Sequence, residues 1–212
     1  MRARVPRRRW ERRPDERPRA LMTSAMKLLL EHGYGRVSLA AVAADAGVSK
    51  ATIYHYFSNK DDLLTQSLAQ RMAEKHGAIE QQIASAGGTA TERLRTFLRE
   101  FWNQSTTPQS GLWQQMLATE IVTDAPDVFG AWVRGLVERW RTVERLIREG
   151  QRDGEFRRDV DVDVAARTIL SALSHQALFH VHFGLRRYAP FEPARLCSAI
   201  IEQFLRGLRK HQ

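Results

Sequence analysis

Residues 38–60 read SLAAVAADAGVSKATIYHYFSNK, two short helical patterns that meet at Gly47 and Val48. In the first, Leu39, Val42 and Ala43 recur at helical spacing, and Ser38 stands where a side-chain oxygen can accept from an otherwise unpaired backbone N–H. Gly47 supplies the permissive backbone that a tight corner after a helix needs. Val48 is the apolar plug of that corner and Ser49 a second N-cap, so a new helix is expected from Lys50 to about Phe57. Ile53 and Phe57, four residues apart, share its inward side. Lys50, Ala51, Thr52, Tyr54, His55 and Tyr56 are left to the flanks and the outer face. A small, polar and aromatic surface near a helix start suits the major groove of DNA, where recognition helices reach base edges. The pattern predicts a helix-turn-helix.

The features from Ala43 to Gly47, Ser49, the run Thr52-Ile53-Tyr54-His55-Tyr56-Phe57, and Lys60 followed by Asp61, Asp62 and Leu63 form a set. With them, the segment from about Arg19 to Gln66 resembles the DNA-binding domain of the TetR family of transcriptional regulators. Many relatives carry Gly or Pro where this chain has Ala51, and His where it has Tyr56. The resemblance implies a DNA-binding regulator. It places Ser38, Thr52, Tyr54, Tyr56 and Lys60 at phosphates, and Ala40, Lys50, Ala51 and His55 within reach of bases. Phosphate contacts fix register while base contacts decide sequence.

The chain has 212 residues, a formal charge of +9 and a pI of about 10.4. That length can bury a proper core, and that charge favours a polyanionic partner without separating nucleic acid from an anionic membrane surface. A lone cysteine, Cys197, excludes an intramolecular disulfide framework and fits a reducing cytoplasm. No apolar run of about 18 residues appears, so no membrane span is expected. The N-terminus lacks the apolar core of a secretory signal, so export is not expected either. We expect an all-α chain of about nine helices in three parts: a disordered basic arm at 1–19, a three-helix head at 20–66, and a helical ligand-binding and dimerisation body at 67–212.

The arm holds nine Arg against Glu11, Asp15 and Glu16, with Pro6, Pro14 and Pro18. Such a segment is expected to stay disordered alone and to reach along phosphates or into the minor groove. It equally reads as a solvated tail that adds only sequence-independent attraction. The first helix follows from Leu21, Ala25, Leu28 and Leu29, widened by Met22 and Met26, and Gly33 ends it. Ser58 and Asp61 form a start signature for a fourth helix that reaches about Ser85 before Gly87 and Gly88. Thr89 and Glu92 open a fifth. Pro108 and Gly111 break the pattern, Leu112 to Ile121 resume it, and Asp124 and Pro126 open a long helix closing near Gly150 to Gly154. The last two helices are expected from Val162 to about His182 and from Pro193 to about His211.

The aromatic-rich middle of the body is the candidate effector pocket, with Trp102, Trp113, Met116, Phe129, Trp132, Trp140 and Phe179 as apolar walls and His175 among the polar anchors. At helical spacing, such residues also read as plain core. Ala165 and Ala172 provide a small-residue surface, and Leu196, Ile200, Phe204 and Leu208 form a stripe beside a second one of Cys197, Ile201 and Leu205. Two adjacent stripes exceed what one packing partner requires, which predicts a two-fold homodimer. A dimer presents two reading helices and implies a palindromic double-stranded operator.

His175, His180 and His182 do not share the i, i+4 spacing that places two imidazoles on one helix face, so no metal is expected, and no cofactor. Phosphate-loop, dinucleotide, nucleophile-elbow and zinc-protease signatures are missing, so no enzyme is expected. The resulting expectation is a cytoplasmic repressor released from its operator by a small molecule of apolar or aromatic character. The alternative is a helical protein-interaction module with weak or no specific DNA binding.

Overall fold

The computed structural model describes residues 16–209. Residues 1–15 of the expected arm lie outside the described residues. The first helix, α1 (Glu16–His32), begins four residues before its expected start, so 16–19 are helical and not part of a disordered arm. Pro18 is tolerated there because the first turn of a helix has N–H groups with no partner to lose. Leu21, Ala25 and Leu29 are fully buried, and Gly33 ends the helix with a φ of 80°.

The reading motif forms as its caps dictate. Ser38 Oγ accepts from Ala41 N at 3.2 Å and starts α2 (Leu39–Asp45). Gly47 turns the corner at a φ of 66°. Ser49 Oγ accepts from Thr52 N at 3.1 Å and starts α3 (Lys50–Tyr56). The next helix, α4 (Lys60–Ala86), is capped one residue later than expected. Asn59 Oδ1 accepts from Asp62 N at 2.8 Å, and the Asp62 carboxylate accepts from Ser58 N at 2.9 Å. At 27 residues, α4 spans roughly 40 Å.

The body adds α5 (Ala90–Ser105), opened by the expected capping box of Thr89 and Glu92. Helix α6 (Pro108–Met116) runs through a π-helical segment (Leu117–Ile121) into a last turn (Val122–Asp124). Its start corrects the expected break: Thr107 caps the helix, Pro108 takes the first position, and Gly111 lies inside it. A Cβ at Gly111 would stand 2.4 Å from His182 Nδ1, so the glycine admits a close neighbour and does not interrupt the helix. Next come α7 (Pro126–Arg152) and α8 (Val162–Gln176), the latter running into a second π segment (Ala177–His182). The described chain closes with α9 (Pro193–Leu208). Among the described residues β pairing is limited to an isolated bridge between Phe156 and Arg209, and the fold is all-α.

Two hydrophobic clusters hold these helices. One joins the head to the N-terminal half of α4, the end of α6 and the start of α7, from Leu21 through Ile53, Phe57 and Leu64 to Ile121, Val128 and Ala131. The other fills the body with Ile79, Leu94, Phe97, Leu146, Phe156, Leu173 and Ile201. Helices α4 and α7 pass through both. The head core therefore reaches well beyond the sequence boundary expected at residue 66.

Candidate nucleic-acid interface and body cavity

Burial of Ile53 and Phe57 fixes the rotation of α3, and everything on its other side follows. Lys50, Ala51, Tyr54 and His55 are exposed, Tyr54 to 60%, and Ser38 and Ala40 are exposed at the start of α2. Thr52 is half-buried with its hydroxyl 2.8 Å from Ser49 Oγ. Tyr56 is half-buried against the head core, and its ring meets that of His55 edge-on at 5.0 Å.

Lys60 is placed differently. It occupies the first position of α4, but its Nζ lies 3.6 Å from the centre of the Tyr34 ring and donates to Tyr34 O at 3.3 Å. Tyr34 is the joint between head and body. Its N–H donates to Glu120 Oε2 at 2.9 Å, and its hydroxyl donates to Asp61 Oδ1 at 2.6 Å. The same hydroxyl lies 3.3 Å from Asp124 O. Burial, then the Asp61 carboxylate, push the phenol well above its ordinary ionisation range. Asp62 is held below the usual carboxylate range, first by the Ser58 N–H and then by Gln66.

A cavity of about 280 Å³ lies where the two cores meet. This is near the low end of the roughly 300–1,000 Å³ typical of small-molecule sites. Met26 and Leu30 of α1, Leu68 and Met72 of α4, Phe101 of α5, Trp113 of α6, Trp132 and Trp140 of α7, and Leu170 and Leu178 beyond it supply apolar wall. Gln104, Ser110, Gln114, Ser171, Ser174 and His175 supply polar groups, and Arg71, Lys75 and Arg139 supply charge. Burial, then Arg71 and Arg139, pull the Lys75 ammonium down to about 8. Burial alone pulls the Arg139 guanidinium down to about 10.

Residues 21–66 match the family model described as bacterial regulatory proteins, tetR family. This segment is a DNA-binding domain of the TetR family of transcriptional regulators. Along nearly its full length the chain is similar to the fatty acid metabolism regulator protein of Bacillus subtilis, with 25% identity over 195 residues, 89% of this chain and 93% of that one. It is also similar to the transcriptional repressor KstR2 of Mycolicibacterium smegmatis, at 24% identity over 157 residues, 74% of this chain and 75% of the other. The FadR regulator of Bacillus subtilis, solved in complex with stearoyl-CoA, shares the fold at a TM-score of 0.69 and 20% identity, across 90% of this chain and 98% of that one.

Of the residues singled out for a pocket, Trp113, Trp132 and Trp140 line the cavity, together with His175. Trp102 does not, being buried in the body core, and Met116 belongs to the head-side core. Phe129 packs on that same core, 5.8 Å from Trp132. Phe179 is 38% exposed and stacks on His175 at 4.4 Å, outside the wall. His180 and His182 are engaged elsewhere: each places Nε2 on a backbone oxygen, of Phe191 at 2.7 Å and of Ser105 at 2.9 Å.

On α9 the two stripes separate. Cys197, Ile201, Leu205 and Leu208 are buried in the chain's own core, while Leu196, Ile200 and Phe204 are only partly buried. Leu208, expected on the dimer face, is therefore withdrawn from it: at 3% exposure it fills space beside Phe156 and Leu205 in the same cluster. Ala165 and Ala172 of α8 are partly buried.

The charged residues of the wall were not singled out from the sequence, although a signal exists. Leu136, Arg139, Trp140 and Val143 stand at i, i+3, i+4 and i+7, so Arg139 occupies an apolar stripe. Arg71 and Lys75 likewise continue the Leu64–Leu68 face of α4 at helical spacing. The Tyr34 to Glu120 contact spans 86 residues and has no local signature.

Proposed function

We propose that the chain is a homodimeric repressor that reads a palindromic operator with α3 and is released when a small molecule enters the body cavity. The observation that carries this reading is the division of α3, with Ile53 fully buried and Lys50, Ala51, Tyr54 and His55 open to solvent beside exposed Ser38 and Ala40. In this reading Lys50, Ala51, His55 and Ala40 approach base edges. Ser38, Thr52, Tyr54, Tyr56 and Lys60 hold phosphates, Lys60 by leaving the neutral Tyr34 ring and carbonyl for an anion. Ala165, Ala172, Leu196, Ile200 and Phe204 face the second copy. The chain works in the bacterial cytoplasm, on DNA. Among the described residues no helix is long and apolar enough to cross a membrane.

Two routes support coupling. Helix α4 begins at the head with Lys60 and carries Arg71, Met72 and Lys75 into the cavity wall. Helix α6 supplies Trp113 to the wall and leads through the π segment to Glu120 on Tyr34. A ligand that prefers a different setting of these helices shifts the head, and only its difference in affinity between the two settings does so.

The test is selection of random duplex DNA at about physiological salt, where non-specific binding is weak. Wild type is expected to enrich one palindrome, and the double variant Tyr54→Ala, Lys60→Ala to enrich none. Equal enrichment by both, or none by wild type with or without cell extract metabolites, removes the α3 reading. A monomer mass that does not change with concentration removes the dimer.

A further inference from the structure

We propose that the molecule received by this cavity is an organic monocarboxylate with a compact apolar or aromatic body, its carboxylate held by Arg139 and Lys75. The inference rests on the effector reading above and deepens it by naming the ligand's chemistry.

Charge balance in the wall is the first argument. Arg71, Lys75 and Arg139 all contribute to it, and among the described residues no aspartate or glutamate does. The acidic residues nearest in sequence are engaged elsewhere. Glu74 accepts from Gln70 at 2.7 Å, Glu80 pairs with Arg145 at 2.7 Å, and Glu138 pairs with Arg141 at 2.6 Å. Three like charges around one small space repel each other, and removing them from water is costly unless a counter-charge arrives.

Hydrogen-bonding capacity is the second argument. Arg139 is half-buried, and its enclosed Nε has no hydrogen-bond partner among the described residues. Trp113 Nε1, in the same wall, is also a buried donor without one. Gln104 spends its amide N–H on Lys75 O at 3.4 Å, which leaves its Oε1 as the unpartnered acceptor. Donors outnumber acceptors, and an ionised carboxylate is a pure acceptor that takes two donors of a guanidinium at once. A neutral apolar ligand would leave these donors orphaned, and a cation would add to the repulsion.

The rest of the wall sets the body of the ligand. Trp113, Trp132, Trp140 and Phe101 offer flat apolar faces, and about 280 Å³ accommodates a ring system or a short chain. Arg139 lies with its guanidinium carbon 5.7 Å from the centre of the Phe101 ring, so the charged and aromatic parts of the wall adjoin.

The experiment uses the full chain and matched pairs of probes at millimolar concentration: indole-3-acetate, phenylacetate and octanoate, each beside its primary amide. Thermal unfolding in the absence of DNA reports binding. At least one acid is expected to raise Tm while its amide does not, and Arg139→Met and Lys75→Met are each expected to weaken that acid by about tenfold or more. Both variants keep an apolar stem, and a single cooperative unfolding transition verifies that they fold. Equal stabilisation by acid and amide overturns the proposal, as does no stabilisation by any acid, or undiminished binding by folded Arg139→Met. Release of the selected duplex separates this proposal from the reading it rests on. An acid that binds through Arg139 without releasing DNA upholds the ligand chemistry and removes the effector role. Release by the amides alone does the reverse.

Discussion

The core beneath α3 and the core between α5, α8 and α9 are built from the same kinds of apolar side chain, yet the space between them follows another rule. In the head-side cluster the buried Tyr34 and Ser67 are answered, Tyr34 by Asp61 and Glu120 and Ser67 by Leu63 O at 2.6 Å. In the body cluster Glu155 accepts from Ala90 N at 2.7 Å and Thr91 N at 2.9 Å, satisfying the open start of α5. Where the clusters meet, Arg139, Trp113 and Gln104 keep buried polar atoms without partners. Unpartnered buried atoms occur elsewhere singly, at Thr65 Oγ1, His76 Nδ1 and Arg157 Nε, while the seam gathers three of them around one cavity, two of them donors. The seam, where the effector is proposed to enter, is thus where local rules are broken together.

The largest expected effect tests whether the cores are independent. Phe57→Ala on the head side and Phe97→Ala in the body each remove a fully buried ring and should cost about 3–5 kcal/mol. Because α4 and α7 run through both clusters, chemical denaturation followed by circular dichroism should show each variant shifting one shared transition. Two separate transitions would break the picture of two cores threaded on common helices.

Smaller effects probe the joint and the seam. Glu120→Ala leaves the Tyr34 N–H without its acceptor and should lower stability by about 1–3 kcal/mol in the same assay. A neutral result would mean that the head is held by its apolar contacts alone. Arg139→Met should raise stability by about 1 kcal/mol, because a half-buried guanidinium whose enclosed Nε lacks a partner costs more than an apolar stem. A loss of stability instead would show that the guanidinium is already satisfied.

The smallest effect is a proton count. Lys75 titrates near 8 in the folded chain, against 10.5 ordinarily, and the charges bearing on it are Arg71 on its own helix and Arg139 from α7. The unfolded chain therefore holds more protons between those values, and stability rises with pH across that window. Below it, the charged ammonium is a cost to the native state. A bound carboxylate raises the depressed value again, so binding at pH 8 should take up a fraction of a proton, measured as heat that varies with buffer ionisation enthalpy. No uptake would place the carboxylate away from Lys75.

Much of this architecture was legible because helix ends carry local chemistry. Ser38, Ser49, Thr89 and Gly47 perform in the structure the roles their residue types suggest. The slip at the start of α4 came from two overlapping signatures, Ser58 with Asp61 and Asn59 with Asp62. The Tyr34 hydroxyl engages Asp61, a contact 27 residues distant that sequence spacing does not reveal. Gly111 looked like a breaker because a glycine that admits an imidazole and one that ends a helix are locally identical. In the candidate pocket, residue type distinguished aromatic from polar but not direction: Trp102 turns into the body core while Trp113 turns to the cavity. The face a side chain shows is decided by partners dozens of residues away.

Met26 and Leu30 belong to α1, yet they form part of the cavity wall. Under the proposed function, DNA specificity and ligand specificity are thus not separable cassettes in this chain. A chimera that imported another protein's residues up to the end of the reading motif would replace two side chains of the ligand site along with the operator preference. Such a graft should place its junction after a head that retains Met26 and Leu30, or it will alter the sensor along with the address it controls.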